Sequence, residues 1–199
     1  MTTLATTRLV LSPLTLRDDA LYCRVYTDPQ VMQHVGPALS TESAMIDFEK
    51  ALRGASQSPP LRHRWVVTER ASGDHAGLVG LDYDNSCAEV GALLLGAHQD
   101  HGYAAEAIAA LADLAFCRLG LTRLHTRHSR INARAAGLMR KLGFVPVGPI
   151  AQEEAQQRWQ LSAQQWNKSR TRFAPPVQAK QLQSATVPVS LASVPGDEH

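Results

Sequence analysis

Cysteine is sparse and scattered in this chain. Cys23, Cys87 and Cys117 are the only three. They form no Cys-x-x-Cys pair and no ligand-spaced cluster with nearby histidines, which points to a reduced compartment and away from a metal site. Long apolar runs are missing too: none approaches the roughly 18 residues that a membrane-spanning helix requires. The opening MTTLATTRLVLS has neither a basic n-region nor an extended apolar h-region, so no secretory signal is expected. Nor is one charge in excess. Twenty Lys+Arg against 18 Asp+Glu leave a formal net charge of +2, which gives no reason to expect nucleic-acid or anionic-membrane binding. No internal repeat is visible. These absences predict a cytoplasmic globular protein whose partners are neither nucleic acid nor membrane.

What is present suffices for one core. With 199 residues, 44% of them hydrophobic, the chain suits one domain plus a tail. Residues 1–173 read as the domain. Residues 174–199, rich in Pro, Gln, Ala, Ser and Val without periodicity, read as a disordered tail. Arg8–Leu14 reads as an edge strand because of Pro13, and 17–27 as a helix. A second helix spans about 42–53, capped by Ser40 or Thr41, with Ala44, Phe48 and Ala51/Leu52 at helical spacing. His63–Glu69, Ala76–Asp84 and Ala88–Gly96 read as an antiparallel meander, with Gly91 marking a bulge or a close backbone approach. Arg62, His63 and Arg64 at its start read equally as solvent-exposed or as facing an acidic substrate. Residues 102–119 form the strongest helix, stopping at Gly120 and apolar nearly all round, hence packed on more than one side. A strand at Arg123–His128, a helix from Asn132 to Leu142 and strands at Phe144–Val147 and Gln157–Leu161 complete an order β-α-α-β-β-β-α-β-α-β-β. The fold class is α+β, with a mixed, mostly antiparallel sheet of about seven strands.

The segment Leu93–Ala107 (LLLGAHQDHGYAAEA) carries the chemistry. A strand leads through a short polar loop straight into the long helix. Gly102 and Ala104 leave the first-turn amides sterically open, and unsatisfied N–H groups at a positive dipole end suit a pyrophosphate. Gln99 offers a neutral donor there and His101 a partial positive charge. A plain helix start explains Gly102 equally well. Further on, Asn132 reads as the cap of the helix that stops at Gly143-Phe144. His125 and His128, set against Cys87 and Cys117, lack ligand spacing and read as structural or surface residues.

Taken together, these pieces resemble the acetyl-CoA-binding motifs of the GNAT N-acetyltransferases. The family's Gln/Arg-x-x-Gly-x-Gly/Ala loop is matched by Gln99, Gly102 and Ala104, and its later Asn and Gly-Phe pair by Asn132 and Gly143-Phe144. The likeness covers roughly residues 6–168 and is nearest to the ribosomal-protein N-terminal acetyltransferase branch. That branch is suggested by Thr6-x-Arg8-Leu9-x-Leu11, Asp28-Pro29-x-Val31-Met32, Glu89-Val90-Gly91, Gly102-Tyr103-Ala104-x-Glu106-Ala107 and the Trp159…Trp166 close. The resemblance implies transfer of an acetyl group from acetyl-CoA directly to a primary amine, with no covalent enzyme intermediate. The acceptor is a protein N-terminus or a small molecule such as an amino acid, polyamine or antibiotic, and a homodimer fits as well. It implies that the cofactor is held by backbone groups of Leu93, Leu94 and Leu95, by Gln99, His101, Gly102, Tyr103 and Ala104, and by Asn132. Strand 89–95 is expected to splay from strand 123–128 around the pantetheine arm.

Glu89 stands where relatives place the base that deprotonates the amine through water, with Asp82 and Asp84 as alternates. A surface Glu near a turn is the bland reading of the same residue. Two departures matter. Met139 replaces a Tyr that in some relatives protonates the leaving thiolate, and Ala135 replaces a common Ser, so no general acid is visible. A non-catalytic acyl-CoA-binding module in a biosynthetic or regulatory assembly is the alternative of a different class. The acceptor is expected against 17–55 and about 150–158.

Overall fold

A computed structural model of the protein describes residues 1–150 and 153–170; the tail expected at 174–199 lies outside them. Local signals set most elements. A Thr15/Asp18 capping box opens a 3-10 turn that runs into α1 (Asp19–Thr27). The Asp28 carboxylate caps the short α2 (Pro29–Met32), which starts on proline. Ser40 caps α3 (Thr41–Ser56) through the Ser43 amide, and its apolar stripe buries Ala44, Phe48 and Ala51.

The strands are β1 (Leu4–Ala5), β2 (Leu9–Pro13), β3 (Arg62–Glu69), β4 (His75–Asp84), β5 (Cys87–Leu94), β6 (Arg123–Ser129), β7 (Val145–Ile150) and β8 (Glu153–Ser162). They form one eight-stranded sheet in the order β1-β2-β3-β4-β5-β6-β8-β7. Among the described residues only β5 and β6 pair parallel. The sheet exceeds the expected seven strands because Leu4–Ala5 adds a two-residue rung outside β2. β2 is therefore not the edge. Pro13 is tolerated for another reason: the Leu14 N–H bonds Arg64 O on the β3 side, so the proline nitrogen turns the other way, beyond the end of β1.

Two helices fill the face opposite α1 and α3. α4 (Tyr103–Asp113) buries Ala107, Ile108, Leu111 and Ala112. It does not continue as α-helix to 119. From Leu114 it widens into a π turn (Leu114–Arg118) in which the Leu119 N–H reaches Leu114 O. The widening follows Asp113, whose carboxylate accepts the Trp166 indole N–H (2.8 Å). α5 (Ala133–Leu142) ends on Gly143 at φ +88°. A sixth helix, α6 (Ala163–Ser169), was not anticipated, although Ser162 and Gln165 form a capping box at its start.

Period-two alternation sorts the core. Trp65 and Val67 on β3 face α4 with Leu9, Leu11, Leu81 and Val90, whereas Val66 faces Tyr22, Val25 and Phe48. Each such side chain, fully buried, contributes on the order of 1.5–3 kcal/mol. Gly91 is not a bulge. It pairs in register with Gly80, and a Cβ built on it meets nothing within 4 Å. The irregularity lies between Val67 and Thr68, opposite Gly77. Gly77 has φ +148°, and a Cβ there would fall 2.1 Å from Leu93 O. Among the described residues no helix is long and apolar enough to cross a membrane.

Candidate active site

β5 and β6 share three rungs and then separate: Cys87–Arg123, Ala88–Leu124 and Glu89–His125. Past that seam β5 continues along β4 to the Gly77–Leu94 pair, and β6 continues along β8 to the Ser129–Gln156 pair. Each strand follows the twist of its own antiparallel partner, so a wedge opens between them. A cavity of about 420 Å³ occupies the wedge, with Glu89, Leu93, Ala104 and Asn132 in its wall. Those are four of the ten residues singled out from the sequence. Leu94, Leu95, Gln99, His101, Gly102 and Tyr103 do not line it.

Backbone direction divides Leu93–Leu95. The Leu95 N–H is spent on Ala76 O (2.9 Å). Alternation turns the Ala92 and Leu94 amides the opposite way, into the wedge, where β5 has no strand partner. Leu94 O accepts the Gln99 side-chain amide (2.9 Å), so Gln99 fastens the loop to the end of β5.

α4 begins beside the wedge. Gly102 is its N-cap at φ +79°, a left-handed conformation that glycine adopts without strain. Behind it the amides of the first turn have no intrahelical acceptors, an arrangement that suits an anion. Arg8, in the turn between β1 and β2, secures this end. Its Nε meets Glu106 Oε2 at 2.7 Å, its Nη1 donates to His101 O at 2.8 Å, and its guanidinium lies 4.9 Å over the Tyr103 ring. Tyr103 turns its hydroxyl to Glu69, which leaves the backbone amide as its contribution to the helix end. Exposed His101 stacks on Tyr103. Glu106 also accepts from Thr6 Oγ1 (2.6 Å) and the Arg8 amide (2.8 Å). Burial alone would raise its carboxyl; the bonds from Thr6 and Arg8 outweigh it and hold the group below the usual carboxylate range.

On the sheet face toward α1 and α3, register sets Asp82 opposite Glu89 and Glu89 opposite His125. Arg127, two residues further along β6, shares that face and places Nε 3.2 Å from Glu89 Oε1. His125 Nε2 lies 3.9 Å from Glu89 Oε2. Burial lowers the His125 pKa against the opposing pull of Glu89, so the imidazole is neutral at pH 7. Asp82 is occupied: Arg64 contacts both of its oxygens (3.0 and 2.7 Å) and Arg62 Nε lies 3.3 Å away. Arg64 is thus held in an ion pair in the cavity wall with only 12% of its side chain exposed. Asp84 is exposed, accepts from the Asn85 side chain and does not line the cavity.

Asn132 caps α5 by accepting the Ala135 N–H (2.9 Å), and Ala135 and Met139 line the cavity beside it. His128, read as structural or surface from the sequence, also lines it. Its Nδ1 donates to Ser129 O (2.9 Å) and its ring stacks on Trp159, while Nε2 is buried with no partner among the described residues. Among those residues no three His, Cys, Asp or Glu gather as a metal would require. Sequence reasoning missed Arg127 and dismissed His125. Period-two spacing placed 125 and 127 on one face, but only the parallel register brings that face to Glu89.

The family described as acetyltransferase (GNAT) domain matches residues 8–145. An uncharacterized N-acetyltransferase of Bacillus licheniformis, p20, is 27% identical over 161 residues, covering 77% of this chain and 88% of the relative. An acetyltransferase structure from Agrobacterium tumefaciens superposes with TM-score 0.70 at 27% identity, covering 81% of this chain and 94% of the other. A spermidine N-acetyltransferase from Vibrio cholerae, solved with CoA and spermine, has the same fold at TM-score 0.70 and 21% identity, covering 81% and 99%.

Proposed function

The chain belongs to the GNAT acetyltransferase family, and from that premise we propose that it moves the acetyl group of acetyl-CoA onto a primary amine held beside Glu89. The observation that carries this reading is the wedge between β5 and β6, which opens beside the α4 N-terminus and has Glu89 at its root. The residues present fit the donor. The Ala92 and Leu94 amides supply donors to an extended arm, the first-turn amides of α4 supply them to a pyrophosphate, and Asn132 keeps its amide NH2 at the cavity wall. An amide of β5 turned into the wedge is the natural donor to a developing thioester oxyanion.

Most alkylamines are protonated at pH 7, so the Glu89 carboxylate first takes a proton from the ammonium. The lone pair this frees bonds to the carbonyl carbon while the nitrogen's second surplus proton passes through water to the sulfur. The carbon–sulfur bond breaks and the sulfur leaves as thiolate. A positioned base of this kind contributes about 10²–10⁴-fold. Glu89 serves better than Asp82, whose oxygens are held by Arg62 and Arg64. Within this reading the acceptor is a protein N-terminus, as in the ribosomal-protein branch, or a small-molecule amine.

The test is thermal. Acetyl-CoA is expected to stabilise the protein by mass action, about 2.7 kcal/mol at a hundredfold excess over Kd, whereas NAD and ATP are not. Gly102→Val removes most of that shift, since Gly102 has φ +79° and a Cβ there already sits 3.4 Å from Arg8 Nη2. No shift of the wild type at millimolar acetyl-CoA sinks the assignment.

A further inference from the structure

Charges on the acceptor side lie in a row across the sheet. Arg62 stands opposite Asp82, Asp82 opposite Glu89, and Glu89 opposite His125. Arg64 and Arg127, each two positions along its strand, share the face. Both carboxylates of the row meet arginines: Asp82 meets Arg62 and Arg64, and Glu89 meets Arg127. Among the described residues the row sets both signs of charge side by side and is not a run of acids. The Arg64–Asp82 pair also lies in the cavity wall, but its guanidinium is only 12% exposed, whereas in the Glu89–Arg127 pair both partners are open. There the opposed charges are 3.2 Å apart, with the side chains 31% and 49% exposed. An ion pair this exposed contributes little stability, so a ligand parts it readily.

We propose that this pair selects an amine carrying its own carboxylate, an α-amino acid bound as the zwitterion, with its ammonium on Glu89 and its carboxylate on Arg127. The inference rests on the acetyl-transfer reading and narrows its acceptor. In an α-amino acid the nitrogen and carboxyl carbon are held about 2.5 Å apart by one tetrahedral carbon, a spacing that suits the Glu89–Arg127 pair. The guanidinium fork is shaped for a carboxylate, and neutral His125 adds no second cation to compete. Tyr26 and Val35, also in the cavity wall, offer a surface for the amino acid's side chain. Gly91, two positions beyond Glu89 on the same face, leaves open space beside the amine. Turnover then forms the N–C bond and breaks the C–S bond. Glu89 takes the first of the two protons that the ammonium sheds, and the second passes through water to the thiolate as it departs with the carbon–sulfur electron pair.

The experiment follows thiol release from acetyl-CoA with free α-amino acids, the same amino acids as carboxamides, and spermidine. Free amino acids are expected to exceed their amides in kcat/KM by about tenfold or more, the cost of a lost charge-assisted bond. Spermidine is expected to do no better than the amides. Arg127→Gln should bring the acid-to-amide ratio to within about twofold, chiefly through the KM of the acid, and Arg127→Lys should restore part of it. Equal rates for acid and amide in the wild type, a preference for spermidine, or an Arg127→Gln loss that is uniform across acceptors overturns the proposal. The uniform loss would mean that Arg127 only positions Glu89. Turnover of amines without this discrimination leaves acetyl transfer standing, while no turnover of any amine sinks both.

Discussion

Glu89 owes its position to three partners contributed by two other strands: Asp82 in register on β4, and His125 and Arg127 on β6. Replacing it with Gln keeps shape and hydrogen-bonding capacity but removes the basic site. We expect Glu89→Gln to retain the thermal shift with acetyl-CoA, because the donor groups assigned to the cofactor lie elsewhere. The acetylation rate should fall by about 10²-fold near neutral pH and recover in part at high pH, where free amine is supplied by solvent. Wild-type and variant pH–rate profiles that coincide would show Glu89 to be a bystander. Glu106 works differently, since its carboxylate is fastened by Thr6 and Arg8 and does not line the cavity. Its folded pKa is depressed below the ordinary 4.5, so its stabilisation is complete above that value and is lost as pH falls through the folded value. Glu106→Gln should cost about 1–2 kcal/mol at pH 7, and the gap in melting temperature from wild type should narrow as the pH drops toward 3. A gap independent of pH would show that charge is not what binds the β1–β2 turn to α4.

At the scale of elements, what the sequence made legible was what is encoded locally. α3 and α5 carry their own side-chain caps, α5 its glycine stop, α3 and α4 their apolar pattern, and the loop ahead of α4 carries a recognisable spacing. Pairing between distant strands is a different matter. Arg64 and Asp82 stand 18 residues apart, and nothing in either segment shows that they meet, so Asp82 looked available as a base. A two-residue rung such as Leu4–Ala5 has no period at all, and without it β2 looked like an edge. A strand glycine announces an exception without saying which kind. Gly91 is regular, whereas Gly77 lies beneath the backbone of β5. Gly77→Ala is therefore expected to destabilise by about 3 kcal/mol, since the added carbon strikes Leu93 O and Leu94 Cα, which are backbone and cannot rotate away. It should also weaken acetyl-CoA binding by displacing the Leu94 amide. Urea unfolding with a loss below about 0.5 kcal/mol would show that β5 yields easily.

For the molecule as a whole, the three-rung seam between β5 and β6 makes the sheet two panels joined along one short line. One panel runs from β1 to β5 and the other comprises β6, β8 and β7. Only the first panel is covered by α1 and α3, and α4 bears chiefly on it, through β2, β4 and β5. Hydrogen–deuterium exchange should register this division. Amides of β6 and β8 are expected to exchange together, and faster than those of β3 and β4, because opening along the seam exposes them without unfolding the rest. A ligand threaded into the wedge then acts as a missing strand, lending each panel the partner it lacks. Saturating acetyl-CoA should accordingly slow exchange most at Ala92 and Leu94, and the β6 panel should come to protect at the rate of its neighbour. The protein, on this view, finishes its own sheet only when it is loaded.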